Sequence, residues 1–143
     1  MASKRLAVST TEAARARGRP QGRKGKYNAR GAHEDGKWFA SAAELYRYRQ
    51  LRDMEAKGLI QALECQPKFP IVVGGAHITR YHADFRYEVL DDLGRVVGER
   101  VEDVKGMITD VYALKKRLVE VLHRLKLTEI PARKVGQWID RVD

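Results

Sequence analysis

Two strand-like stretches around a short turn constrain the fold of this chain more than any other feature. Residues 78–90 and 96–106 alternate apolar and polar side chains over much of their length. Between them, residues 91–94 (Asp-Asp-Leu-Gly) form a cluster of turn-forming residues. Alternation with a period of two is typical of strands, and such a cluster is typical of the loop that joins them. The pattern predicts a β-hairpin closed by a four-residue loop.

The second strand of this hairpin carries two charges on one face. Successive side chains of a strand point to opposite faces, so Asp103 and Lys105 share a face while Val104 points the other way.

The expected register brings a third charge to the same place. If Leu90 pairs with Arg95, Asp84 lies opposite Val101 and diagonal to Asp103, on the face that carries the lysine. Two carboxylates and an ammonium then converge on one point of the hairpin.

Two interpretations of these charges remain open. Mg²⁺ takes oxygen ligands and keeps several waters, so two or three carboxylates with a phosphate oxygen suit it, and Mn²⁺ is a possible substitute. A bound metal activates water for phosphodiester hydrolysis, and a nearby lysine stabilises developing charge. The alternative is a solvated hairpin face with an ordinary Asp–Lys pair.

A third carboxylate opens the first predicted helix, which runs to about Lys57 and stops at Gly58. Ser41 and Glu44 fit a capping box, in which the glutamate reaches back to the backbone at the helix start. Glu44 also flanks the apolar face, so it is a candidate for the hairpin site. The sequence leaves both roles open.

The remaining segments complete an expected order of αβββαβα, an α/β sheet with helices on both sides. Residues 59–73 read as a first strand region bent by two prolines, and 74–75 as a glycine turn. A helix is expected over about 109–126, a short strand over 127–130, and an amphipathic helix over 131–142 that packs back through Trp138, Ile139 and Val142.

The helix over 109–126 carries an apolar stripe and a basic face. Tyr112, Lys115 and Lys116 lie in its first turns, just beyond the strand of Asp103 and Lys105, where they could meet a DNA phosphate. The alternative is a core helix with a solvated basic face. The stripe consists of Val111, Leu114, Leu118, Val121, Leu122 and Leu125.

Composition favours a polyanionic partner. The 143 residues include 28 Lys and Arg against 19 Asp and Glu, a net charge of +9. No stretch resembles a membrane span or a signal peptide, and the single cysteine, Cys65, suggests a reducing cytoplasm. The charge balance by itself fits nucleic acid or an anionic membrane surface, and we expect a one-domain cytoplasmic protein whose partner is DNA and not a membrane.

Most of the charge lies near the N-terminus. Residues 1–37 hold ten Lys and Arg against three Asp and Glu, a net +7, and the remainder carries +2 (18 against 16). Residues 1–32 are expected to be a flexible basic arm, and residues 17–20 resemble an AT-hook that lies in an A·T minor groove. A generic phosphate-binding tail is the alternative. The arm's candidate DNA contacts are Arg17, Arg19, Arg23, Lys24 and Lys26.

A glutamate on a first helix, an aspartate on a strand and an acid-x-Lys motif on the next strand together resemble the PD-(D/E)xK nuclease superfamily, which includes restriction endonucleases and Holliday junction resolvases. More closely, the chain looks like a family encoded by bacteriophages and prophages. Ala83 departs from the pattern, which has proline before the aspartate. The resemblance covers about residues 26–130 and rests on Lys26-Tyr27-Asn28, Asp35-Gly36-x-x-Phe39-x-Ser41-x-x-Glu44, Gln66-Pro67-x-Phe69, Tyr81-x-Ala83-Asp84-Phe85-x-Tyr87 and Glu102-Asp103-Val104-Lys105-Gly106.

The resemblance implies a restriction-endonuclease-like αβββαβ core over residues 33–143, with a mixed central sheet flanked by helices. It also implies a Mg²⁺ site made by Glu44, Asp84, Asp103 and the Val104 carbonyl, with Lys105 as the catalytic lysine. Glu102 would point to the opposite face and become a ligand only if a bulge shifted the register.

The function implied is a Mg²⁺-dependent DNA endonuclease, phage-encoded, acting on branched DNA in recombination, replication or packaging. Symmetric cleavage of a junction needs two active sites, hence a homodimer. A non-catalytic DNA-binding or adaptor protein on the same fold is the alternative. An RNA-associated protein is a weaker one, because no aromatic-rich sheet face of the RNA-recognition type is evident.

Overall fold

The computed structural model of the chain describes residues 31–137. A small hairpin precedes the first helix, and a short 3₁₀ helix, Ala132–Gln137, follows the last strand. A second hairpin is inserted in the chain between the first two strands of the main sheet. In chain order the elements are β1 (Ala32–Glu34), β2 (Lys37–Phe39), α1 (Ala42–Ala56), β3 (Ile60–Cys65), β4 (Lys68–Val73), β5 (Ala76–His82), β6 (Phe85–Leu90), β7 (Val96–Lys105), α2 (Asp110–His123) and β8 (Leu127–Pro131).

The main sheet has four strands in the order β3-β6-β7-β8. The pairs β3–β6 and β6–β7 are antiparallel, whereas β7 and β8 are parallel because α2 connects them. The expected α/β class with a mixed sheet is therefore confirmed. Without the two added hairpins, the element order is α1, β3, β6, β7, α2, β8.

The two faces of the sheet bury separate apolar clusters. Val104 packs with α1 residues such as Leu51, and Val101 packs with Val119 of α2. Residues 101 and 104 differ by an odd number, so their side chains point to opposite faces of β7. The helices therefore cover both sides of the sheet, as expected.

The capping signals of α1 operate as the sequence predicts. Ser41 has an extended backbone, and its hydroxyl accepts a hydrogen bond from the Glu44 N–H at 3.1 Å. At the other end Lys57 caps the helix, and Gly58 has a φ of +73°, which glycine adopts without strain.

The expectation of one strand over residues 78–90 is wrong. The chain leaves β5, which pairs with β4 in a separate two-stranded sheet, and enters β6 of the main sheet through Ala83 and Asp84. The region 59–73 is likewise divided, into β3 and β4, at Gln66 and Pro67. Backbone hydrogen bonds from Gln66 N–H to Asp84 C=O (2.8 Å) and from Ala83 N–H to Pro67 C=O (3.2 Å) hold the two crossing points together.

The expected register of the hairpin is also wrong, although the expected faces are preserved. Leu90 pairs with Val96 instead of Arg95, which shifts the register by one residue. A bulge between Val89 and Leu90 shifts it by one more, so that Arg86, and not Asp84, lies opposite Val101. A shift of one residue exchanges the faces of a strand, and two such shifts restore them. Asp84 is thereby placed beside Asp103.

Helix α2 is shorter than expected and buries less of its stripe. Thr109 caps it by accepting from the Tyr112 N–H at 3.1 Å, and Arg124 ends it in the left-handed conformation. Val119 is the buried residue of this helix, and Leu118 and Leu125 are half-buried. The other members of the predicted stripe, Val111, Leu114, Val121 and Leu122, are exposed.

The strand expected over 127–130 is confirmed as β8. The amphipathic helix expected over 131–142 is a 3₁₀ helix in its described part, with Val135 buried against α1 and the sheet. Trp138, Ile139 and Val142, and the arm residues 1–30, lie outside the described residues. Within residues 31–137, no helix has the length and apolar character needed to cross a membrane.

Candidate active site

Asp84 is fixed at the break between β5 and β6 by two hydrogen bonds to β7. Its backbone N–H donates to the Glu102 carbonyl at 3.1 Å, and its Oδ2 accepts from the Val104 N–H at 2.7 Å. These two contacts lie on either side of Asp103 along β7. The sheet itself therefore brings the two aspartates together, as the sequence predicted.

Asp103 is fully buried, and its carboxylate has no hydrogen-bond partner among the described residues. The nearest cation is Lys105, whose Nζ lies 3.9 Å from Oδ1. Burying a charge without a partner is costly, and native proteins seldom leave such a group unsatisfied. A metal ion is one group that would satisfy both oxygens.

Burial dominates the ionisation of both aspartates. Desolvation, and after it the charge of Glu44, raises the pKa of Asp84 to about 7. Desolvation also raises the pKa of Asp103 to about 6, although Lys105 acts in the opposite direction. Both carboxyls titrate near neutral pH in this environment, well above exposed aspartates.

Glu44 has both features that the sequence left open. Its Oε2 accepts from the Ala40 N–H at 3.3 Å, one residue before the Ser41 cap, so the side chain does reach back across the helix start. Its negative charge also contributes to the raised pKa of Asp84 and of Asp103. The same side chain caps α1 and acts electrostatically on the two aspartates.

The candidate ligands are not assembled into a complete metal centre. Over residues 31–137, no three His, Cys, Asp or Glu side chains come together as a metal-holding group. Asp84 and Asp103 are adjacent, whereas Glu44 is turned toward the Ala40 amide. Val104 contributes its N–H to Asp84, and its side chain packs into the core on the α1 side.

Glu129 is a site residue that sequence reasoning missed. It lies next to Asp103 in the parallel pairing of β7 with β8, and its charge raises the pKa of that aspartate. Its Oε1 accepts from Lys116 Nζ at 2.7 Å and from the Tyr112 hydroxyl at 3.4 Å. Strand alternation alone could not have identified it, because the β7–β8 register is set by packing.

Tyr112 and Lys116 were predicted to contact DNA, and the structure gives them partners within the protein. Lys105 Nζ lies over the Tyr112 ring, 4.2 Å from its centroid, and Lys116 is paired with Glu129. Burial and the charge of Asp103 raise the pKa of Tyr112. Lys115 lies half-buried on the same helix.

A cleft of about 490 Å³ opens next to the lysine. Lys105 and Glu129 line it together with Pro131, Ala132 and Arg133. Lys105 therefore contacts Asp103 and also borders a solvent-accessible cleft, which has Arg133 as a second cation in its lining.

Glu102 points away from this site, as predicted. It is fully buried on the α1 side, where Arg47 donates to both of its oxygens at 2.6 and 3.1 Å and the Tyr87 hydroxyl donates at 2.9 Å. All of its charge is compensated within the core. We regard it as structural, since no lone pair is left facing the cleft side.

Two other sequence expectations concern residues away from this site. Cys65 is a half-buried free thiol on β3. The proposed arm contacts, Arg17, Arg19, Arg23, Lys24 and Lys26, lie outside the described residues.

The fold and the site thus define an α/β protein with an acidic pair, of which Asp103 is buried and Asp84 half-buried, and with an adjacent lysine at the edge of a cleft. Residues 24–136 match the model of the family described as "Protein of unknown function (DUF1064)", and the chain belongs to that family. No curated protein matches the chain, and no solved structure does.

Proposed function

We propose that this protein is a metal-dependent DNA endonuclease that hydrolyses phosphodiester bonds at the Asp84–Asp103 pair. One comparison within β7 carries the proposal. The neighbouring buried acids Glu102 and Asp103 are both inaccessible, yet Glu102 accepts hydrogen bonds from Arg47 and Tyr87, whereas Asp103 accepts none at normal distance from a described residue and has only the Lys105 ammonium 3.9 Å away. A carboxylate needed only for stability would resemble Glu102, because unpaired burial opposes folding.

The donor set fits Mg²⁺, with Mn²⁺ as a possible substitute. Asp84, Asp103 and the Val104 carbonyl would hold the ion, and Glu44 would join them by leaving the Ala40 amide. When bound, the metal would polarise the phosphate and lower the pKa of a nucleophilic water. The αβββαβ order of the main elements is consistent with the PD-(D/E)xK nuclease core that the sequence resembles.

Lys105 supplies the positive charge of the mechanism. Its ammonium stabilises the negative charge that develops on the phosphoryl oxygens, or it orients the attacking water. The Tyr112 ring holds the ammonium by a cation–π contact at the cleft edge, and the 3.9 Å separation from Asp103 leaves that carboxylate available to a metal.

DNA is the proposed substrate. The net charge of +9 favours a polyanion, and the resemblance to phage-encoded and resolvase-like nucleases favours branched DNA formed in recombination, replication or packaging. The enzyme would act in the cytoplasm of the bacterial host.

A non-catalytic DNA-binding or adaptor protein is the second candidate. One observation favours it: no three potential ligands come together among residues 31–137. In that case the acidic pair would have no catalytic role, and DNA binding would depend on the basic residues alone.

Cleavage assays separate these functions. Purified full-length protein is incubated with labelled four-way junction, flap and linear duplex DNA, with Mg²⁺, Mn²⁺ or EDTA. We expect metal-dependent cleavage, strongest on a branched substrate, and its loss in Asp84→Asn, Asp103→Asn and Lys105→Ala, while DNA binding persists. DNA binding without cleavage under every metal condition would favour the adaptor protein.

The same assay decides the role of Glu44. Glu44→Gln keeps a side chain that can cap the helix and removes the charge a metal needs. A ligand role predicts lost cleavage with little change in melting temperature. Normal cleavage would leave capping as the only role.

A further inference from the structure

The outer face of α2 carries an apolar surface that nothing within the described residues covers. Val111, Leu114 and Val121 are 64%, 62% and 58% exposed, and Leu122 is 41% exposed. Within the helix, positions 111, 114, 118 and 121 are spaced by three, four and three residues, the a/d repeat of a helix that pairs with another helix, and Leu118 among them is half-buried against the sheet. Monomeric proteins seldom leave such a stripe on one helix in water.

We propose that the α2 stripe, defined as the exposed residues Val111, Leu114, Val121 and Leu122, is the docking surface for a second copy of this chain. The two α2 helices would pack antiparallel about a two-fold axis. This inference goes beyond the proposed nuclease function and does not depend on it.

The charges beside the stripe favour a second copy as the occupant. Asp110 and Arg124 lie fourteen residues apart, so they share one flank of α2 at opposite ends of the helix. An antiparallel pair related by a two-fold axis places each aspartate near the partner's arginine. A parallel pair would place like charges together at both ends.

The expected dimer is of moderate affinity. Arg117 lies on the same flank midway between Asp110 and Arg124, so two copies of it approach each other at the axis and oppose association. We expect an interface built from one such stripe per protomer to bury on the order of 1,000 Å² in total, at the low end for specific complexes. We therefore expect a dissociation constant in the range of about 1–50 µM.

Dimerisation through this surface leaves the candidate active site open. Tyr112 and Lys116 face the sheet and Glu129, and they are turned by roughly 160° around the helix from Leu114. The clefts beside Lys105 would remain accessible in both protomers.

Sedimentation velocity on the full-length protein, without DNA or divalent ions, tests the surface. Across about 1–200 µM we expect a monomer–dimer equilibrium, and Leu114→Glu should raise the dissociation constant at least about 30-fold. Val97→Glu is the matched control, because Val97 is 64% exposed and lies on β7, outside the α2 stripe, and that variant should dimerise normally. Circular dichroism confirms that each variant is folded.

A charge exchange tests the antiparallel geometry. Asp110→Arg and Arg124→Asp should each weaken the dimer about threefold to tenfold, and the double variant should recover most of the loss. A wild-type protein that stays monomeric over this range would overturn the proposal and assign the stripe to a different partner or to chain residues outside 31–137. A dimer unaffected by Leu114→Glu would overturn it as well. Loss of cleavage in Asp84→Asn with normal dimerisation leaves it intact.

Discussion

At the scale of single residues, β7 contains two adjacent buried acids with opposite surroundings. Glu102 faces α1 and is fully paired by Arg47 and Tyr87, so its burial costs little. Asp103 faces the other side with both oxygens unpaired among the described residues, and Asp84 lies beside it with a pKa raised to about 7. The protein thus keeps two neighbouring carboxyl groups in surroundings that disfavour their negative charge, which is typical of functional sites.

This arrangement predicts an unusual dependence of stability on pH. The folded-state pKa values of Asp84 and Asp103 are raised, so between about pH 4 and pH 7 the folded protein binds more protons than the unfolded chain. The free energy of unfolding of the metal-free protein should therefore fall across that window. Above it, Asp84→Asn should be more stable than the wild type by roughly 1–3 kcal/mol.

Thermal melts at pH 5 and pH 8 in EDTA measure this effect. Glu102→Gln is the contrasting control, since breaking a paired buried charge should lower the melting temperature at both pH values. Mg²⁺ should raise the melting temperature of the wild type and not that of Asp84→Asn or Asp103→Asn. An Asp84→Asn variant less stable than the wild type at pH 8 would contradict the raised pKa.

At the scale of elements, two departures from regular structure and one strand pairing build the site. Asp84 lies in the break between β5 and β6, outside both strands. The bulge at Val89 and Leu90 sets the register that brings Asp84 beside Asp103. The parallel pairing of β7 with β8 then brings in Glu129. Helix α2 supports the end of β7 through Tyr112, which contacts both Lys105 and Glu129.

The contact between the Tyr112 ring of α2 and the Lys105 ammonium predicts different effects for two substitutions of Tyr112. Tyr112→Phe keeps the ring under the Lys105 ammonium and should retain most of the cleavage activity. Tyr112→Leu removes the ring, leaves the ammonium free to approach Asp103, and should lower kcat by about tenfold with little change in KM. Equal activity of the Phe and Leu variants would show that the ring does not position Lys105.

At the scale of the whole molecule, charge and chemistry are separated along the chain. Residues 1–37 carry +7 of the net +9, whereas every candidate catalytic residue lies between 44 and 105. We therefore expect affinity for DNA to depend mainly on the N-terminal arm, and cleavage to depend on α1, β6 and β7.

Deletion of residues 1–25 tests this separation. DNA affinity should drop, and the slope of log affinity against log salt should become shallower by about 0.9 for each phosphate that the protein no longer neutralises. Cleavage at low salt and saturating protein should persist. The deletion removes seven positive charges: Lys4, Arg5, Arg15, Arg17, Arg19, Arg23 and Lys24.

The base composition of the DNA then distinguishes the two kinds of arm. An AT-hook predicts a larger decrease in affinity for A·T-rich than for G·C-rich DNA, because arginine enters the narrow A·T minor groove. Equal decreases would identify a generic phosphate-binding tail. An unchanged salt slope would mean that the arm does not touch DNA.

The sequence by itself determined what depends on neighbouring residues. Strand alternation placed Asp103 and Lys105 on one face and Glu102 on the other, and Ser41 and Gly58 marked the ends of α1. These features follow from the period of two in a strand and from hydrogen bonds made within one helical turn. They were correct because no distant contact is needed to specify them.

Only the tertiary structure decided how the segments are combined. Residues 78–90 alternate like one strand, yet they divide between two sheets at Asp84, because β4 and β3 offer separate partners to the two halves. The apolar stripe predicted for α2 is not the side that the helix buries, because packing on the sheet buried Val119, which lies outside the stripe, and left Leu114 and Val121 in solvent. Register, partner choice and the buried side of a helix depend on contacts between segments far apart in the chain, and local periodicity does not encode them.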